Sequence, residues 1–259
     1  MSIYHSLLRT RILAGLQYRG AAIAGMMTQF VWGFLSIMLF NVLGQGIMDP
    51  EDVATYVWLR QAFLALTAVW AMDASIFPMI ESGEVAYECL RPINLYFLWF
   101  VRNIAHRISR CLLRFAPVII VALVLPEPFR LTLPATPLHG LMFIVSLLMT
   151  MLLVVSVNML MYVFTFFSKN SLGIRVIFMG IFDLLDGGTI PLPFFPEVFQ
   201  RILSYTFFIG LQTTPLFIYL GQMNPLHGLL LQIIWFLIIT GCGYFLLNIA
   251  LREVEVYGG

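Results

Sequence analysis

The chain has 259 residues, 61% of them hydrophobic and 10% charged, with a mean hydropathy of +0.94. Soluble domains are roughly 45–50% apolar and about 25% charged, so this composition excludes a soluble globular enzyme and indicates an integral membrane protein. A net charge of +1 excludes a nucleic-acid surface, and the widely spaced Cys89, Cys111 and Cys242 match no metal or redox pattern.

The apolar runs are long and continuous, which predicts membrane-spanning helices rather than the short alternating strands of a barrel. Residues 3–19, IYHSLLRTRILAGLQYR, place Ile3, Leu7, Leu8, Ile12 and Leu16 at helical spacing, with Arg9, Arg11 and Arg19 elsewhere. This predicts an amphipathic helix lying on the inner leaflet. The first span is expected over 20–43, where Gly20, Ala24 and Thr28, and separately Ala21 and Gly25, recur every four residues and allow close helix approach. The connector GQGIMDPED carries Asp49, Glu51 and Asp52 without Arg or Lys, which places it outside. A second span is expected over 53–77, with Arg60 snorkelling at its outer end and Asp73 near its inner end, in reach of an arginine that follows.

Residues 78–107, PMIESGEVAYECLRPINLYFLWFVRNIAHR, interrupt the apolar pattern. They carry Glu81, Glu84, Glu88, Arg91, Arg102 and Arg107, and a central charge in a span costs about 2.5–3.5 kcal/mol on insertion scales. The stretch is therefore expected at the inner water boundary. Gly83 and Pro92 bracket a piece from Glu84 to Arg91 long enough for about two helical turns. A short helix on the inner surface is a natural docking site for a soluble partner.

A third span is expected over 106–125. Arg107, Arg110 and Arg114 recur there on one helical stripe, the first two as inner-face anchors and Arg114 deep enough to need a polar partner. A proline-rich loop leads to a fourth span over 138–167, FSKNSLGIR turns the chain at the inner side, and a fifth span covers 172–185. TPLHGL at 136–141 and NPLHGL at 224–229 form a small repeat, each an N-cap residue followed by Pro at the first helical position. His139 and His227, without acidic company, make a poor metal site. Between spans five and six, Pro191, Pro193, Pro196 and Pro215 break an apolar segment too short to cross, which predicts two short helices dipping into the outer leaflet. The last span is expected over 226–251, followed by the tail REVEVYGG.

Inner segments then carry nearly all Arg and Lys, whereas outer segments carry only Arg130 and Arg201, so both termini are expected in the cytoplasm around six spans. There is no G-x-x-x-x-G-K-[ST], H-E-x-x-H or G-x-S-x-G. Asp183 and Asp186, three apart on a helix, are the nearest approach to a catalytic or cation-binding pair, and a stand-alone intramembrane enzyme would depend on them. A non-catalytic membrane anchor or assembly factor is a further alternative.

The six-span order with an N-terminal interfacial helix, the ESGEVAYECLRPIN stretch (Gly83, Glu84, Leu90, Arg91, Pro92) and GGTIPLPFFPEVFQRIL together resemble the ABC-2 type permease subunits of ATP-driven transporters. The resemblance implies an all-α, single transmembrane permease domain over 1–259 with a cytoplasmic coupling helix and outer re-entrant helices. It also implies a bacterial inner-membrane location and outward transport. ATP and Mg would be bound by separate ABC ATPase subunits, and no cofactor or metal by this chain. Glu81, Gly83, Glu84, Glu88, Arg91 and Pro92 would form the ATPase contact. A second permease half, identical or a similar six-span chain, would complete the assembly among membrane lipids. The few charges expected within the spans favour a hydrophobic or amphipathic cargo.

Overall fold

The computed structural model describes residues 3–44 and 46–252, apart from the side chains of Arg19 and Ala21. The tail beyond Arg252, expected on the inner side, lies outside the described residues. In chain order the helices are α1 (Ile3–Gly15), α2 (Arg19–Leu43), α3 (Pro50–Thr67), α4 (Ile76–Glu81), α5 (Val85–Cys89), α6 (Leu95–Leu112), α7 (Phe115–Val124), α8 (Pro137–Ser168), α9 (Ser171–Leu185), α10 (Glu197–Leu203), α11 (Thr213–Leu220) and α12 (Pro225–Ala250). No strand occurs among the described residues. Among the described residues three helices are long and apolar enough to cross a membrane: Ala22–Leu43 within α2, α8 and α12.

The bundle is built around α8, a helix of 32 residues and so about 48 Å long at 1.5 Å per residue. It packs against α12, α11, α9, α6, α3 and α4. The two copies of the Pro-Leu-His-Gly-Leu repeat start α8 itself and α12, which pack against one another. Thr136 accepts the His139 N–H at the start of α8, and Asn224 accepts the Leu226 and His227 N–H groups at the start of α12. The histidines therefore belong to two helix caps. At its other end α8 stops at Lys169, which takes a left-handed φ of 51°, and Asn170 caps α9 by accepting from Gly173 N at 2.9 Å.

Buried polar groups join the helices where apolar packing has no water to escape from. Gln232 on α12 is fully buried; its amide donates to Thr150 Oγ1 and to the Gly210 carbonyl, both at 2.9 Å, and its oxygen accepts from Ser146 Oγ at 2.9 Å. The short helices α10 and α11 before α12 are thereby tied to α8 through Gly210. On the other flank α2 lies against α3 and α7. Gly33 sits there under the Trp58 ring, where an added Cβ would meet ring carbons at 2.6 Å, and Gly25 lies against the Arg114 guanidinium. The outer face of α2 remains apolar and exposed, with Met27, Val31, Leu35 and Val42. α1 packs along α6 with Leu7, Leu8 and Ile12 half-buried, while Ile3, Arg9 and Arg11 are exposed.

Two expected boundaries are corrected. The helix predicted over 53–77 ends at Thr67, and residues 68–75 run irregularly before α4 begins. The helix predicted from 106 begins eleven residues earlier, at Leu95, and breaks at Leu113–Arg114 before α7. Pro117 explains the break: it has no N–H for the Leu113 carbonyl, and its ring clashes with that carbonyl in a continuous helix. The early start has a different cause. Arg102, Asn103 and Arg107 stand on the same side of α6 as Leu95 and Trp99, and all five are buried. Charges that read as solvated are folded into the bundle.

Candidate functional site

The stretch between α4 and α6 forms a compact cap on one end of the bundle. Gly83 takes φ +78° between α4 and α5, a conformation costly for other residues, and this turns the chain into α5. Asn94 ends the connection by accepting from Phe97 N at 3.2 Å, which starts α6. α5 has five residues, too few to be stable alone. It is held by the buried Val85 and by Glu88.

The predicted contact residues divide into two groups. Glu84, Arg91 and Pro92 are exposed, and so are Tyr87 and Leu90, at 73% and 81%. Glu81 is also at the surface, where its carboxylate accepts the Ser171 N–H at 2.8 Å, tying α4 to the start of α9. That hydrogen bond holds the Glu81 carboxyl below its ordinary range. Glu88, expected to point outward with the others, instead turns inward. Its carboxylate accepts from Trp99 Nε1 at 2.6 Å and from Arg102 Nη1 at 3.1 Å.

Arg102 links Glu88 to the irregular segment 68–75. Its Nε donates to Asp73 Oδ2 at 3.1 Å and its Nη2 to Ser75 Oγ at 3.0 Å, while Ser75 Oγ donates to Asp73 Oδ1 at 2.6 Å. The expected pairing of Asp73 with a later arginine is thus made by Arg102, whose side chain is 6% exposed. One step deeper, Asp73 N donates to Asn103 Oδ1, and the Tyr162 hydroxyl of α8 lies 2.9 Å from the Asp73 carbonyl. The polar path therefore runs from the surface helix to the central helix.

Arg107, expected as a surface anchor, is fully buried. Its guanidinium donates to the Ala65, Leu66 and Ala68 carbonyls and to Asn158 Oδ1. It thus serves the orphan carbonyls that close α3. Asn158 Nδ2 donates to Val69 O at 2.8 Å and fixes the chain just beyond. Arg110 is exposed and Arg114 half-buried past the helix break, so the three arginines do not share one environment. The roles of Arg102, Asn103, Arg107, Asn158 and Tyr162 were not read from the sequence. The available signal was that the two arginines continue the buried stripe begun by Leu95 and Trp99.

Asp183 and Asp186 lie in different environments. Asp183 is exposed, whereas Asp186 is buried and accepts from Gly188 N and from Gln212 Nε2 at 2.7 Å. The Asp186 carboxylate shapes the glycine turn after α9, and Tyr56 donates to the Gly187 carbonyl at 3.0 Å beside it.

No curated protein matches the chain. The family model described as "ABC-2 family transporter protein" matches residues 26–258. With nearly the whole chain matched and apolar helices arranged around a capped polar end, the protein is an integral membrane protein that belongs to the ABC-2 transporter family.

Proposed function

We propose that the chain is the permease subunit of an ATP-binding cassette transporter and that α5 with its flanks is the face on which a separate ATPase subunit docks. The family is the membrane component of transport and not itself catalytic, and the sequence carries no phosphate-binding loop. The observation that carries the docking reading is the exposed set of Tyr87 on the five-residue α5 and Glu84, Leu90 and Arg91 on its flanks, held by the bundle from beneath. An apolar groove with charged rims on the partner would fit it.

In this reading six helical passes (α2, α3, α6 with α7, α8, α9 and α12) cross the inner membrane of a bacterium, with both termini in the cytoplasm as the arginine asymmetry favours. ATP and Mg bind the partner ATPase, and a second permease half, identical or a sister chain, faces this one across the apolar surfaces. The cargo is hydrophobic or amphipathic and moves outward. The test is capture of ATPase from membranes of the source cell by the tagged chain in detergent. The double charge reversal E84K/R91E should lose most of the captured ATPase while the chain still inserts. Equal capture by wild type and variant would count against docking at α5.

A further inference from the structure

We infer that the Arg102 cluster is the rigid link that passes displacement of α5 into the bundle, and that Glu88 works inward as its first member rather than as a contact to the motor. The inference rests on the permease reading above. Three observations support it. First, one guanidinium bridges carboxylates from two separate elements, Glu88 on α5 and Asp73 in the segment 68–75, at 3.1 Å each. Second, the bridge is shielded, with side-chain exposures of 6% for Arg102, 11% for Glu88 and 12% for Asp73. Ion pairs shielded in this way are screened far less than surface pairs and hold their geometry. Third, the path continues without a gap: Asp73 N to Asn103 and the Asp73 carbonyl to Tyr162 on α8.

The irregular segment 68–75 is where such a push would act. It is not a continuous helix, with a turn closed by Ala71 N on the Ala68 carbonyl at 3.2 Å, and it is positioned by Arg102, Asn103, Tyr162, Asn158 and Arg107. Displacing α5 therefore drags Arg102, and with it the hinge between α3 and α4 and the centre of the bundle. Trp99, on the same helix as Arg102, holds the other face of Glu88 at 2.6 Å and prevents the carboxylate from swinging outward.

The experiment uses the complex of this chain with the ATPase that co-purifies with it, and a non-hydrolysable ATP analogue with Mg2+ as the probe. Amide hydrogen exchange is followed with and without the analogue in wild type and in E88Q, which keeps an acceptor for the Trp99 indole but loses the charge. In wild type the analogue should change exchange at α5, at 68–75 and in α8. In E88Q the change at 68–75 and α8 should be lost, while the amount of captured ATPase and the exchange of α8 without analogue match wild type. If E88Q folds poorly, R102K, which keeps the cation but replaces a planar fork by one point of contact, should show a partial loss of the same change. An E88Q variant that loses the ATPase would make Glu88 a motor contact and overturn the proposal, and one that keeps the full change at 68–75 would also overturn it. A wild-type chain that captures no ATPase would instead overturn the permease reading itself.

Discussion

Replacing Arg107 with methionine keeps most of the side-chain volume and removes the buried guanidinium. In the structure this leaves the Ala65 and Leu66 carbonyls and Asn158 Oδ1 without their donor, whereas the Ala68 carbonyl keeps the Ala71 N–H at 3.2 Å. An orphaned buried acceptor costs roughly 1–3 kcal/mol. Removing the cation also relieves the cost of having desolvated it, which is several kcal/mol for a buried ion. The balance is a net loss of roughly 2–4 kcal/mol. It should be read by equilibrium unfolding in mixed micelles, together with hydrogen exchange over 64–72, where protection should fall before the rest of the bundle responds. Pairing R107M with N158L in a double-mutant cycle should give less than additive loss, because the two side chains serve one another. An R107M variant less than about 1 kcal/mol weaker than wild type, with unchanged exchange at 64–72, would show that the end of α3 does not depend on this arginine.

The native thiols report topology directly. Cys89 is exposed and Cys111 buried, so a membrane-impermeant maleimide should label Cys89 from the cytoplasmic side in inverted vesicles and leave Cys111 unmodified; labelling of Cys89 in intact cells would refute the orientation. Gly33→Leu would force atoms into the Trp58 ring, and overpacking of this kind costs roughly 1–3 kcal/mol; an unfolding midpoint equal to wild type would mean that α2 sits looser on α3 than the structure has it. Gln232→Leu should cost about 1–2 kcal/mol, the scale of interhelical polar contacts in membranes, and raise hydrogen exchange across 204–212 specifically. A uniform rise across the chain would argue against Gln232 as the tie between that segment and α8.

Composition and pattern alone settled much of this protein. The apolar runs dictated helices in a membrane, and the Thr-Pro and Asn-Pro starts placed the beginnings of α8 and α12, because capping depends on neighbours within a single turn. Gly83 and Pro92 likewise bounded α5. The end of α3 and the beginning of α6 could not be read in the same way. Residues 68–75 contain neither Gly nor Pro, so nothing local stops the helix at Thr67. It stops because Arg107, 40 residues further along the chain, supplies the donors that the carbonyls of Ala65 and Leu66 would otherwise seek in the next turn. The direction of Glu88 is decided in the same way, by Trp99 and Arg102. A charged side chain reads as solvated until its partner is known, and these partners meet only when α6 folds against the segment it grips.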